Sequence, residues 1–364
     1  MVHIPKYWYK ASSELNNGEL VKSLVIYTNP VPGAKESKEV FVGAVEASSN
    51  DASSPSTPML YSIVKANIEY QQDGSVSATN MTYAEDATLY RGGSARATAT
   101  NDNNVKSLLG RPVTNLKRSD FRTRAANRGA GYSQQYWDAY MSWVRLYVVE
   151  YCNFNTQATY NSAKTSDGYM QGGLGSGVSM LSSSDWNSFN GYNPFVPCGV
   201  TINLVNTTGV VTYTNGTFTV SVPSYRGIEN PFGHIWKFTD GINCYGNEST
   251  KDFYTCNDIT KFADDTTTNY TYRGSSQYLV DGYIKNWIWD ENGDFLPLLN
   301  GGSASSYLYD YSWLQNAGWH ILLSGGAASS GARCGLFTFR ASIASSYAAD
   351  AGYGGRLYFT PQEN

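Results

Sequence analysis

Charge is scarce in this sequence. Only 15% of its 364 residues are Asp, Glu, Lys or Arg, and the formal net charge at pH 7 is −4. A nucleic-acid partner requires a basic stripe that neutralises phosphates, and there is none. Histidine is scarcer still, with His3, His234 and His320 as the full set. Three scattered imidazoles do not build the His-rich centre of an iron or zinc enzyme, and His234 and His320 read as hydrogen-bonded core residues. The five cysteines (Cys152, Cys198, Cys244, Cys256 and Cys334) include no CxxC, and none has a His at zinc-finger spacing, so no structural zinc site is expected. Cys244 and Cys256 could pair in an oxidising compartment, but scattered reduced core thiols are the plainer reading. No apolar run reaches the length of a membrane span. Met1–Lys10 has no apolar signal-peptide core, so the general secretory route is not expected. GxSxG, HExxH and phosphate-loop motifs are missing, so neither enzymatic activity nor a cofactor is expected.

The place of charge is taken by Asn, Ser, Thr, Gly and Tyr, with 29 Tyr, 9 Trp and 35 Gly. Such a composition makes loops and amphipathic contact surface: Tyr gives area at low entropic cost, and the small residues give adaptable hydrogen bonding. The sequons at Asn80, Asn206, Asn215, Asn247 and Asn269 are what an Asn/Thr-rich chain produces by chance.

Leu24–Tyr27, Val40–Val45 and Leu60–Ile68 are β-prone runs, with 48–58 reading as an exposed Ser/Asp/Pro loop and Arg91–Asn104 as a polar linker. Residues 1–105 therefore form a small β-rich N-terminal unit, suited to attachment or oligomerisation, ahead of a domain at 106–364. Thr114 can cap a short helix over 115–127, and Ser133 a longer one. In the longer one, Tyr136, Tyr140, Trp143, Val144, Tyr147, Val148 and Tyr151 make an apolar stripe at helical spacing. Further on come short strands, Val200–Leu204, Val210–Tyr213, Thr217–Val222, His234–Phe238, Gly318–Leu323, Leu336–Phe339 and Arg356–Phe359, between long loops. Two helices and irregular strands predict an α+β class in which loops carry function.

Three segments add a resemblance. Arg226–Phe238, with Asn230-Pro231-Phe232-Gly233-His234-Ile235-Trp236-Lys237-Phe238 at its end, resembles the core strand of the formylglycine-generating-enzyme branch of the C-type lectin fold, and Leu146–Cys152 falls where that branch has its second helix. Gly318-Trp319-His320, Gly325-Gly326, Gly335-Leu336-Phe337 and Gly354-Gly355-Arg356-Leu357 resemble the frame of variable proteins diversified by retroelements. The resemblance implies a C-type lectin-like domain with a hypervariable region at about 324–358, in a receptor-binding protein of a bacteriophage tail or fibre, such as those of gut Bacteroidales phages. It further implies a homotrimer, residence in the virion, a bacterial surface protein or glycan as receptor, and other virion proteins as partners of residues 1–105. A head-fibre or decoration protein and a bacterial surface-displayed variable protein remain alternatives. The oxidising activity of the branch is not carried over, because Cys334 has no second cysteine downstream.

Adenine-directed mutation of AAC-type codons, the hallmark of that family, cannot yield Trp, Met, Lys, Gln or Glu, and none of these occurs between Ser324 and Tyr358. Nor does any Asn lie between Asn316 and Asn364, although Asn is common elsewhere. The resemblance makes Gly325, Gly326, Gly331, Gly335, Gly354, Gly355, Leu336, Phe337 and Leu357 scaffold. The varied, ligand-binding positions are Ala327, Ser329, Ser330, Arg333, Thr338, Arg340, Ser342, Ile343, Tyr347, Ala349, Asp350 and Tyr353. Arg333, Arg340, Tyr347 and Tyr353 are the side chains best able to anchor a ligand. Asp264-Asp265 and Asp290-Glu291-Asn292-Gly293-Asp294 offer hard oxygens of the kind Ca²⁺ takes, but without complete EF-hand spacing they read as solvated turns. The sugar-binding tripeptides Glu-Pro-Asn and Gln-Pro-Asp are missing, so a lectin-like fold would not by itself imply a sugar ligand.

Overall fold

A computed structural model describes residues 1–49, 56–64, 69–70, 76–77, 110, 112–114, 116–160, 196–215, 218–303, 308–347 and 352–362. The chain opens with a hairpin, Tyr7–Asn16 against Glu19–Tyr27. Its two-residue turn, Asn17-Gly18, takes positive φ at both positions (50° and 84°), the geometry that lets two twisted strands close tightly. A four-stranded sheet then joins the two ends of the described chain, in the order Val2–Ile4, Val40–Val42, Leu357–Phe359, Tyr132–Gln134. Ile4, Tyr7, Tyr9, Val40 and Val42 lie in the same hydrophobic core as Trp143, Phe253 and Phe337. The N-terminal strands are thus built into the sheets and core of the rest; the boundary expected at residue 105 and the linker at 91–104 lie outside the described residues.

The largest element is a nine-stranded sheet. Its order is Thr271–Ser275, Lys251–Thr255, Trp236–Gly246, Gly318–Ser324, Phe339–Ile343, Tyr311–Trp313, Gly282–Ile288 and Leu296–Asn300, and Tyr353–Gly354 adds in parallel beside Trp236. Two helices pack against these sheets, α1 over Arg118–Ala126 and α2 over Trp137–Tyr151. The stripe of Tyr136, just before α2, and Tyr140, Trp143, Val144, Tyr147 and Val148 within it is buried. Each aromatic side chain of this stripe contributes about 1.5–3 kcal/mol, and three of the polar tips are held from within the core. Trp143 Nε1 donates to Tyr358 Oη (3.0 Å), Tyr140 Oη to the Leu336 carbonyl (2.5 Å), and Tyr147 Oη to the Thr156 carbonyl (2.8 Å).

This architecture corrects the expected fold class. The α+β C-type lectin-like arrangement is not what forms: among the described residues 39% are strand and 13% helical, so the fold is mostly β. The reason lies in 251–300, whose polar and aromatic segments pair into four strands of the large sheet instead of making loops. Smaller differences have local causes. Helix α1 starts at Arg118, not after Thr114, because Asp120 reaches back to the Lys117 amide (3.0 Å). Ser133 lies in a strand paired with Leu357–Phe359, so α2 begins later, at Trp137. Ile202–Leu204 is a 3-10 turn, not a strand. Ser48 and Ser49 are buried and pair with Tyr61 and Leu60, so the start of the expected loop at 48–58 is core. The strand expected from Leu336 starts at Phe339, because Thr156 Oγ1 holds the Leu336 amide (3.0 Å) and Asp310 Oδ2 the Phe337 amide (2.7 Å).

Candidate functional site

Two neighbouring strands of the large sheet alternate between buried and half-buried side chains. In Phe339–Ile343 the residues Phe339, Ala341 and Ile343 are buried, while Arg340 and Ser342 are half-buried. Tyr311–Trp313 runs parallel beside it, with Trp313 opposite Arg340; Ser312 is buried, Tyr311 and Trp313 are half-buried on the other face, and Trp313 meets the buried Trp236 edge-on at 5.3 Å. On the next strand Tyr283 lies opposite Tyr311. Alternation of this kind is what a sheet with one face on the core produces.

The outward residues form one cluster. Tyr311 and Trp313 have ring centroids 4.4 Å apart, and Tyr283 meets Tyr311 edge-on at 5.1 Å. Arg333, at the end of the 3-10 segment Ala328–Arg333, lays its guanidinium 5.4 Å from the Tyr311 ring and 5.5 Å from that of Trp313. Arg340 Nη1 donates to Tyr353 Oη (2.7 Å), and the Tyr353 ring lies 5.7 Å from that of Tyr347, which is 43% exposed. The four proposed anchors Arg333, Arg340, Tyr347 and Tyr353 thus sit together, although Tyr353, at 4% exposure, packs inward against Phe238.

The other proposed positions divide. Ser342 is half-buried, and its carbonyl accepts from Asn316 Nδ2 (3.3 Å). Ala327, Ser330, Thr338 and Ile343 are buried. Ser330 Oγ accepts from the Ala327 amide (3.3 Å), and Thr338 Oγ1 donates to the Arg333 carbonyl (2.6 Å), so both brace the segment that carries Arg333. Ser329 lies in the 3-10 segment. Ala349 and Asp350 lie outside the described residues. The scaffold is close-fitting beneath: a Cβ on Gly326 (φ 81°) would meet Cys334 Sγ at 2.6 Å, and one on Gly335 would meet the Asp310 carboxylate at 2.1 Å. Sequence reasoning passed over Tyr283, Tyr311 and Trp313. The alternation in Tyr309-Asp310-Tyr311-Ser312-Trp313 was the available signal.

Groups that could have signalled other chemistry are engaged in structure. His234 Nδ1 lies 2.5 Å from Glu46 Oε2, and Lys237 Nζ 2.8 Å from Glu46 Oε1, all three buried. Against the burial that opposes its charge, these two partners hold the Glu46 carboxyl down to about 2. All five cysteines are free thiols. Asp264 pairs with Arg118 and Arg122, and Asp294 with Arg145 and Arg273. Among the described residues no helix is long and apolar enough to cross a membrane. No family model matches the sequence, and no curated protein matches it.

Proposed function

We propose that this chain is a receptor-binding protein of a bacteriophage tail or fibre that grips a bacterial surface receptor, protein or glycan, through the outward face of 282–288, 311–313 and 339–343. The observation that carries the reading is a coincidence of position. The stretch that lacks Trp, Met, Lys, Gln, Glu and Asn supplies Arg333, Arg340 and Tyr347 to one partly exposed cluster, with Tyr311 and Trp313 supplied from outside that stretch. Tyr, Trp and Arg are the residues that dominate binding hot spots. Variation of the outward positions by a retroelement would change the ligand and leave the core untouched.

Attachment to other virion proteins falls to the N-terminal hairpin, where Leu15 (75%), Leu20 (59%), Val21 and Val25 are exposed. A homotrimer would multiply modest single-site affinity by avidity. The test exchanges residues 327–353 for those of a sibling sequence and measures adsorption of the particle to host cells. Transfer of host preference is the expected outcome, and unchanged adsorption overturns the reading. Deep sequencing of a propagated population adds a second arm: changes confined to outward codons between 327 and 353, beside an invariant template, are expected.

A further inference from the structure

Two arginines of the cluster have no carboxylate partner among the described residues. Arg118, Arg122, Arg145, Arg226 and Arg273 each meet a carboxylate within the chain. Arg333 and Arg340 meet none among the described residues: Arg333 Nε makes a long bond to the Ser330 carbonyl (3.5 Å), Arg340 Nη1 binds the Tyr353 hydroxyl, and Arg340 Nε is buried without a partner. Among the described residues the nearby acids make no direct ion pair with them: Asp281 Oδ1 accepts from the amides of Leu314 and Gln315, and Asp265 Oδ2 from Ser345 Oγ. Asp310, beneath the aromatic row, is 2% exposed, and burial pushes its carboxyl well up, toward the neutral form.

From this we infer that, in this version of the sequence, the outward face binds an acidic protein surface, with Asp or Glu side chains of the partner seated against Arg333 and Arg340. The inference rests on the receptor-binding reading above and assigns the partner's chemistry. A planar guanidinium takes a carboxylate through two parallel N–H···O bonds, and one already resting beside the Tyr311 and Trp313 rings loses less freedom in doing so. Tyr, Trp and Arg together, with Lys and Glu lacking, is the composition of a protein–protein interface core. The charge complementarity favours an acidic partner over a neutral glycan.

A displayed random-peptide library selected on the immobilised full-length chain tests the assignment without knowledge of the receptor. Selected peptides are expected to be enriched in Asp and Glu over the input. The enrichment should vanish on the variant Arg333→Gln/Arg340→Gln, whose thermal unfolding is checked against the parent. For the best peptides, Arg333→Lys/Arg340→Lys keeps the charge but loses the fork, and should weaken Kd about tenfold. Peptides without acidic excess, or acidic peptides recovered equally on the Gln variant, overturn the inference. So does selective binding of alginate, run in parallel as an acidic polysaccharide, with no acidic peptide recovered. The segment exchange at 327–353 reads adsorption to cells and not ligand chemistry, so either result can fail while the other stands.

Discussion

Glu229 is 2% exposed, and its stability contribution should depend on pH in a direction opposite to that of most carboxylates. Burial pushes its carboxyl up from 4.5 to about 7, and the charge of Glu46 adds to the rise. The amides of Gly199 (2.9 Å) and Thr201 (2.7 Å) and the Thr201 hydroxyl (3.0 Å) favour the charged form, but not enough to reverse it. A group whose folded pKa is raised contributes stability that is fully present below its unfolded value and is lost as pH rises through the folded one. The window is therefore from about 4.5 to about 7, and at about 1.36 kcal/mol per pH unit the loss is about 3 kcal/mol. Glu229→Gln removes the titration. Its amide also sets a donor against a donor, a pH-independent penalty of about 1–3 kcal/mol. The assay is urea unfolding followed by tryptophan fluorescence at several pH values between 4.5 and 8, in the parent and the variant. The difference in unfolding free energy should shrink in the parent's disfavour as pH rises, by about 3 kcal/mol in total. A difference that stays flat across the window would refute the reasoning.

Three further outcomes are expected. His320 acts in the opposite direction: burial, and then Lys251 with its Nζ 3.0 Å from Nδ1, lowers the imidazole to about 4. Its contribution is present above 6.5 and lost as pH falls through 4, so in the same unfolding assay the parent's advantage over His320→Gln should shrink on acidification. Arg118→Met strips hydrogen bonds from the Thr239 and Ile242 carbonyls, Asn243 and Asp264 and leaves buried Asp240 with one arginine fewer; a loss of about 3–5 kcal/mol is expected from denaturant midpoints. Gly335→Ala drives a Cβ against Asp310 and should cost about 1–3 kcal/mol, seen as a lowered melting temperature; an unchanged melting temperature would mean that the loop yields freely.

The sequence was most legible where periodicity is local. Helix α2 could be read because seven apolar residues recur on one face, and its length exceeds that of a buried strand. The large sheet could not be read in the same way. Lys251-Asp252-Phe253-Tyr254-Thr255 and Thr271-Tyr272-Arg273-Gly274-Ser275 look like loop sequence, yet each pairs along most of its length with a neighbour. Their strand character comes from cross-strand pairing with neighbouring segments and not from an apolar pattern of their own, while Val40–Val42 pairs with Leu357–Phe359 from the other end of the chain. At the site, the resemblance marked out a set of positions and residue type singled out Arg333, Arg340, Tyr347 and Tyr353 among them. What it could not supply was depth: Tyr353 is buried because its strand pairs in parallel with Trp236, a contact more than a hundred positions away.

That difference in depth bears on how the face can vary at all. Core side chains are packed closely enough that a change of one methylene is felt, so a hypervariable stretch survives only if its changes fall on positions the core does not use. Between 327 and 347 the strand alternation makes that division. Phe339, Ala341 and Ile343 point inward, while Arg340 and Ser342 point out, and Arg333 and Tyr347 lie on the same outer side. The bonds that hold the segment in place run mainly to groups outside the outward set: the Phe337 amide to Asp310, the Leu336 amide to Thr156, the Gly325 amide to the Thr338 carbonyl. Replacing the outward side chains therefore breaks few of the contacts that fix the backbone. By the same logic Ser330, Thr338 and Tyr353, whose polar atoms brace that backbone or hold Arg340, belong with the scaffold on physical grounds.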